Sequence, residues 1–346
     1  MITDAHVLVV RLDSDGDVLL QGPAIRAVAS GARRVTLLCS PRGLGAAGLL
    51  PGIDEILVHR APWIDPEPPP LDSAATLALV ERLRAAACDQ AVVLTSFHQS
   101  ALPTALLLRL AGIPTVAAVS EDYPGSLLDV RHRVPDGLHE VERSLSLVST
   151  LGYSLPAGDD GRLRVLRRSD RPPFASAEGP YVVVHPGASV SARAWSPGRN
   201  ADLVSALAAQ GRRVLVTGGP GEIELTAAVA GVDGVDLGGR TDLAGLAEIL
   251  AGAEAVVVGN TGPAHLAAAV GTPVVSLFAP TVPAERWRPW RVPHVLLGDQ
   301  AIPCAGCRAR TCPVPGHPCL ESVGVDEVVA AVRQLSPARA AEPALL

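Results

Sequence analysis

Lysine is absent from the chain, so all 29 of its Lys and Arg residues are arginines. Any permanent side-chain cation available to an anion is therefore a guanidinium, which meets phosphate or carboxylate through a planar fork of donors rather than as a point charge. Aromatic residues are nearly as scarce, at 3% against 48% hydrophobic overall. The cores must then be built from Ala, Val and Leu, a supply that suits helices packed on parallel sheet. Basic excess is missing too: the net charge of −6 argues against nucleic acid as a partner, which would call for a concentrated basic surface. No stretch reaches the roughly eighteen uninterrupted apolar residues of a membrane-spanning helix. The first apolar run, residues 5–10, is short, has no basic flank and meets Arg11 and Asp13 at once, unlike a secretory signal. The expectation is a cytoplasmic protein with at most peripheral membrane contact, whose cysteines stay reduced.

What the chain does contain is alternation. Short β-branched runs at residues 7–10, 35–39, 55–58, 91–95 and 115–118 are separated by helical patterns such as 18–29 and 74–87. The rhythm restarts with runs at 181–185, 213–217, 255–258 and 274–278, and with helical patterns at 200–210, 222–229, 243–252 and 263–270. Alternation of this kind predicts parallel, doubly wound α/β sheets, and 346 residues suit two such domains. The expected organisation is a domain over 1–170, a Pro-containing linker at 171–178, a second domain over 179–335 and a disordered tail at 336–346. Ligands in such sheets bind at the carboxyl ends of strands, so two facing domains are expected to enclose a cleft. The proline-rich stretch at 62–70 reads as an exposed loop.

The segments that follow the runs carry the chemistry. Gly259-Asn260-Thr261-Gly262 forms a turn ahead of a helix expected from about Pro263. N–H groups at a helix start form an anion site without a cation, Pro263 suits the first turn, and Thr261 and His265 add a hydroxyl and an imidazole. The same strand, turn and helix is also a common structural unit, and a lone histidine is more often structural. After 181–185 comes HPGASVSARAWSPGRN, in which Ser189 and Arg193 offer a hydroxyl and a guanidinium to an anionic leaving group; the alternative is a solvated Arg193 beside a core Trp195. TGGPGEIE brings Glu222 and Glu224, suited to a ribose diol or adenine, or simply to a helix N-terminus. RLDSDGDVLL crowds Asp13, Asp15 and Asp17 behind the first strand. One such carboxylate can act as a general base, or Asp17 can cap the next helix. The glycine here does not complete G-x-G-x-x-G, so no nicotinamide fingerprint is present.

In this order, LDSDGDV, HEVERSLSLVSTLG at 139–152, HPGAS with RAWS, and GNTGPAHLAAAVGTPVVSLFAPT resemble the heptosyltransferases of glycosyltransferase family 9 over nearly the whole chain. CAGCRARTCPVPGHPCL is similar to the cysteine segment of many such enzymes. The resemblance implies a GT-B fold, an ADP-sugar donor such as ADP-heptose held by the C-terminal domain, and a glycan, lipid-linked or small-molecule acceptor held mainly by the N-terminal one. No cofactor is implied. Asp17 is implied as the general base, Ser189 and Arg193 as contacts to the donor phosphates, Glu222 to the nucleoside and Thr241 to the adenosine. Thr261, Gly262 and His265 match the diphosphate turn. Two positions depart from the family pattern: Asn260 replaces an acidic residue that helps place the donor sugar, and Arg193 replaces a lysine. The implied reaction is inverting transfer without a metal. A nucleotide-sugar 2-epimerase, or a non-catalytic nucleotide-sugar binder favoured by Asn260, are the rival classes. Cys304, Cys307, Cys312 and Cys319 run C-x2-C-x4-C-x6-C with His317 among them. That set suits a structural tetrahedral Zn²⁺, with reduced buried thiols or an oxidised pair as alternatives.

Overall fold

Buried strands of a parallel sheet have no solvent face, so they read as unbroken apolar runs; HVLVVR, YVVVH and AVVVG are of this kind, and every residue in them is buried. A computed structural model of the protein describes residues 4–168 and 179–336. It divides into two compact units, Met1–Leu166 and Arg167–Leu346. The linker expected at 171–178 and the tail beyond Ser336 lie outside the described residues.

The first unit contains β1 (His6–Arg11), α1 (Asp15–Leu19), α2 (Gly22–Gly31), β2 (Arg34–Cys39), α3 (Leu44–Ala47), β3 (Glu55–Val58), α4 (Ser73–Ala86), β4 (Gln90–Val93), α5 (Leu102–Leu110), β5 (Thr115–Val119), β6 (Val130–His132) and α6 (Glu140–Ser149). The sheet order is β3-β2-β1-β4-β5-β6, with all neighbours parallel. Its core joins Leu8, Val10, Val93 and Val116 of the strands to Leu79, Leu83 and Leu108 of the helices. Burial of each such side chain contributes about 1.5–3 kcal/mol. The single helical pattern expected at 18–29 is instead two helices. Pro23 stands in the first turn of α2, where its missing N–H and its ring clash with the preceding turn end one helix and start the next. Asp17 lies inside α1, whose N-cap is Ser14, so the capping reading of Asp17 is corrected.

The second unit contains β7 (Tyr181–His185), α7 (Pro197–Ala208), β8 (Arg213–Val216), α8 (Ile223–Ala230), β9 (Val235–Asp236), α9 (Leu243–Ala251), β10 (Ala255–Gly259), α10 (Gly262–Val270), β11 (Val274–Leu277), α11 (Ala284–Trp287), β12 (His294–Leu297), α12 (Pro318–Glu321) and α13 (Val325–Leu335). Its order, β12-β11-β10-β7-β8-β9, is again fully parallel. Counted within each unit, both sheets run 3-2-1-4-5-6, the Rossmann-like doubly wound order. Strand direction of travel reverses between the first and fourth strands of each unit. The crevice outside their carboxyl ends, at β1/β4 and at β7/β10, is where ligands of such sheets bind. Three short strands, β6, β9 and β12, were not expected from the sequence. They lie at sheet edges and are two to four residues long.

Candidate functional site

In the first unit the crevice at β1/β4 is filled by charge. Arg11, the last residue of β1, is fully buried, with 0% of its side chain exposed. Its Nε lies 2.8 Å from Asp13 Oδ2, and its Nη2 donates to Asp17 Oδ1 at 3.1 Å and to Ser96 Oγ, beyond the end of β4, at 2.7 Å. Its Nη1 stands 3.5 Å from Glu140 Oε2, at the start of α6. One guanidinium thus ties together three elements of the unit.

The three aspartates do different work. Asp15 accepts a hydrogen bond from the Ala46 N–H at 2.7 Å, which joins α1 to α3. Asp13 accepts from Gln99 Nε2 at 2.5 Å and is 12% exposed; burial raises its pKa to about 6 against the opposing effect of Arg11. Asp17 is the most open of the three carboxylates around Arg11, at 25% exposure, and its Oδ2 accepts from Ser14 Oγ at 2.9 Å. Gln21 Nε2 donates to the Asp17 carbonyl at 2.9 Å, and Ser144 of α6 donates to Gln21 Oε1. Both the backbone and the side chain of Asp17 are therefore held while part of its carboxylate faces outward. A carboxylate with four acceptor sites keeps capacity for a further proton donor.

In the second unit the crevice at β7/β10 gathers segments from three strand ends. His185 closes β7, and its Nδ1 lies 3.0 Å from Thr217 Oγ1. Burial lowers its pKa, with Glu222 opposing. It stays neutral at physiological pH, so the 4.0 Å approach to Glu222 Oε2 is a contact of an acid with an imidazole rather than an ion pair. Glu222 follows β8 in a short 3-10 turn, where its Oε2 accepts from the Gly219 N–H at 2.7 Å. The carboxylate lies against the backbone of the HPGAS turn: a Cβ on Gly187 would stand 1.9 Å from Glu222 Oε1. A side chain there would have to displace the flexible end of Glu222. Glu224, on the first turn of α8, is exposed.

Arg193 ends a 3-10 turn, Ser191–Arg193, and its Nε donates to Thr281 Oγ1 at 3.3 Å. Its carbonyl presses on the end of β10, since a Cβ on Gly259 would lie 2.6 Å from it. Arg193 and the glycine turn are thereby brought together from residues about sixty apart in sequence. Thr261 is the N-cap of α10, extended at φ −137 and ψ 175, and Pro263 occupies the first turn. His265 is buried on that turn. Asn260 is buried as well, and its carboxamide is used on backbone: Nδ2 donates to the Ala279 carbonyl at 3.2 Å and Oδ1 accepts from the Ala279 N–H at 3.3 Å. It ties the ends of β10 and β11, keeping one donor and one acceptor for anything else. Ser189 lies exposed in the turn after β7. Thr241, half-buried, stands one residue before the α9 N-cap Asp242, in the loop that follows β9. That loop reaches the Glu222 turn, because the Gly239 N–H donates to the Gly218 carbonyl at 2.9 Å.

The residues missed in the sequence are the supporting ones: Arg11, Ser96, Gln99 and Glu140 in the first unit, and His185 and Thr281 in the second. A charged residue closing an apolar strand was the available signal for Arg11 and His185. Nothing local marks the others. Cys304, Cys307, Cys312, Cys319 and His317 do line one small cavity, yet all four cysteines are free thiols. His317 Nε2 is turned to the Ala192 carbonyl at 3.1 Å, and Cys312 Sγ lies 3.6 Å from the Val314 carbonyl. Among the described residues no group of three His, Cys, Asp or Glu is arranged to hold a metal ion. Burial, with the neighbouring thiols adding to it, pushes the Cys319 thiol up to about 11. No helix among the described residues is long and apolar enough to cross a membrane.

Comparison with known proteins gives the family and the fold. The family model described as glycosyltransferase family 9 (heptosyltransferase) matches residues 76–317. That span holds the whole second-unit set, while Asp17 precedes it. Lipopolysaccharide heptosyltransferase 1 of Pseudomonas aeruginosa is 34% identical over 226 residues, 62% of this chain and 61% of that protein. Lipopolysaccharide heptosyltransferase 3 of Escherichia coli K12 is 28% identical over 233 residues, 62% of this chain and 65% of that protein. The chain thus aligns with somewhat less than two thirds of the length of these curated relatives. Among solved structures, a family 9 glycosyl transferase from Veillonella parvula superposes with a TM-score of 0.78 at 17% identity, covering 97% of this chain and 98% of that one. The E. coli heptosyltransferase WaaC with ADP-2-deoxy-2-fluoro heptose gives 0.70 at 22%, covering 95% and 99%. At these identities the structural likeness shows a shared fold.

Proposed function

The chain belongs to glycosyltransferase family 9, the heptosyltransferase family, and from that premise we propose that it is an inverting, metal-independent glycosyltransferase. The donor is an ADP-sugar, a heptose or a close relative, and the acceptor is a hydroxyl of a glycan, a lipid-linked saccharide or a small molecule. Two of the relatives are named lipopolysaccharide heptosyltransferases, and a solved neighbour holds an ADP-heptose analogue. The observation that carries the reading is the gathering of Arg193, Glu222 and the 259–262 turn at the strand ends of one doubly wound sheet. A guanidinium and a helix start suit a diphosphate, and a carboxylate one strand away suits the ribose diol.

The chemistry follows from those roles. An acceptor hydroxyl gives its proton to Asp17 and attacks the anomeric carbon, while the bond to the ADP oxygen breaks and its electron pair leaves with the diphosphate. Attack from the face opposite the leaving group inverts the configuration. Charge growing on the diphosphate is met by Arg193, the Thr261 hydroxyl and the first-turn N–H groups of α10, which act without reorganising. The decisive experiment offers ADP-, UDP- and GDP-sugars in a thermal-shift screen and then follows ADP release. Stabilisation by ADP-sugars alone, with free ADP formed only when acceptor is added, is the expected result. ADP formed without acceptor, or epimerised donor as the product, overturns it.

Two predictions belong here. Turnover persists in excess EDTA, because protein donors meet the diphosphate charge. Loss of activity on chelation, restored by Mg²⁺ or Mn²⁺, contradicts the metal-independent reading. Gly187→Ala forces Glu222 off the turn, since the added Cβ would overlap its carboxylate. It therefore weakens ADP binding by about the same factor as Glu222→Ala, on the order of tenfold or more for a bond to a charged group. Calorimetric titration of ADP into the two variants checks this, and unchanged affinity in both removes Glu222 from the nucleoside site.

A further inference from the structure

We infer that Arg11 is a positioning residue for Asp17, holding its carboxylate by charge and direction, and that Glu140 supplies a further counter-charge from α6 that helps keep the guanidinium in the interior. The inference rests on the reading of Asp17 as the general base. Arg11 is wholly buried, and an unpaired buried ion is costly. Its partners come from every side of the crevice: Asp13 from the loop after β1, Asp17 from α1, Ser96 from the loop after β4, and Glu140 from α6. Glu140 is itself 0% exposed, and neither of its carboxylate oxygens accepts a hydrogen bond. A carboxylate is not left this way in a core for packing alone. Burial raises its pKa, and the 3.5 Å approach to Arg11 and the nearby charge of Arg143 oppose that. Arg42 faces Asp13 and Asp15 from the 3-10 turn ahead of α3.

The arrangement divides the two carboxylates on Arg11. Asp13 is the deeper one, it is held by Gln99, and burial raises its pKa to about 6. Asp17 is the more open, with Arg11 on one oxygen and Ser14 on the other. A guanidinium beside a carboxylate favours the ionised form, and an ionised Asp17 is the form able to take a proton. Removing the positive charge therefore shifts the acid limb of kcat/KM toward higher pH, so that activity is lost as pH falls earlier than in the unaltered protein. The usual size of such an effect is about one to three pH units.

The test compares pH profiles of kcat/KM for the unaltered protein, Asp17→Asn, Arg11→Lys and the double variant Arg11→Gln with Glu140→Gln. The double change removes Glu140 together with its cation, so that the fully buried carboxylate is not left as a lone ion, while Asp13 and Asp17 keep Gln99 and Ser14. Thermal melting verifies that each variant is folded. The double variant is expected to show the shifted acid limb, with the donor KM within a few-fold. Arg11→Lys keeps the charge but loses the planar fork whose three nitrogens face Asp13, Asp17 and Glu140. It is expected to keep the acid limb in place while kcat falls. A folded double variant with the original limb and near-normal kcat overturns the inference while Asp17→Asn, if inactive, leaves the base intact. Full activity in Asp17→Asn overturns the base and this inference with it.

Discussion

Asp17→Ala lowers turnover by a factor of about a hundred to ten thousand, the usual contribution of a positioned general base, while ADP affinity stays within a few-fold. The split follows from where the residue stands. Asp17 belongs to the first unit and makes its bonds to Arg11 and Ser14, whereas the residues read as the ADP site all belong to the second. Alanine removes a proton acceptor and no donor ligand, so steady-state kinetics and ADP titration should separate cleanly. Activity within a few-fold of the original reassigns the base. Asp15 is then a poor substitute, because its carboxylate is bonded to the Ala46 N–H. Asp13 would be next, though Gln99 and Arg11 already occupy both of its oxygens.

Arg193→Ala has the second largest expected effect. The guanidinium is read as meeting the charge that develops on the departing diphosphate, and a hydrogen bond to a charged group is worth about 1.5–3 kcal/mol. That corresponds to roughly ten- to a hundredfold in rate. If the bond strengthens as the charge grows, kcat falls more than ADP affinity does. The effect should not extend to the fold, since the tight contact in this region is made by the Arg193 carbonyl against Gly259, and alanine keeps that carbonyl. His265→Ala, on the first turn of α10, is expected to lower the same parameters by less. Titration with ADP beside full kinetics on both variants decides it. Normal binding and normal turnover in both would mean that the diphosphate lies elsewhere.

Much of the architecture was legible because a parallel strand buried on both faces leaves an apolar run of its own length in the sequence. Residues 55–58 and 181–185 were read with the bounds they have, and the restart of the pattern after 179 announced a second unit. Edge strands of two or three residues were not legible, whereas the half-buried edge strand at 55–58 was, from its apolar run. Val235–Asp236 and Val130–His132 are strands because a neighbour already in the sheet offers its hydrogen-bonding groups, and two or three residues carry no periodicity. The cysteine segment meets a related limit. Spacing told which thiols could come near one another, but whether they converge on one point depends on the loop's path and on His317 turning to Ala192.

The sequence by itself determined that the chain is α/β, that its ligand-facing segments follow the strands, and that glycine turns, Asp17 and Arg193 are where chemistry is to be sought. These are local properties, written in runs and turns. Only the tertiary structure decided that Asp13 and Asp17 are braced by Arg11, that Glu222 lies against Gly187 and the Arg193 carbonyl against Gly259, and that Asn260 is tied to Ala279. Each of those facts is a meeting of segments from different strand ends or layers of a unit. Such meetings are set by strand order at the crossover, which no window of sequence contains.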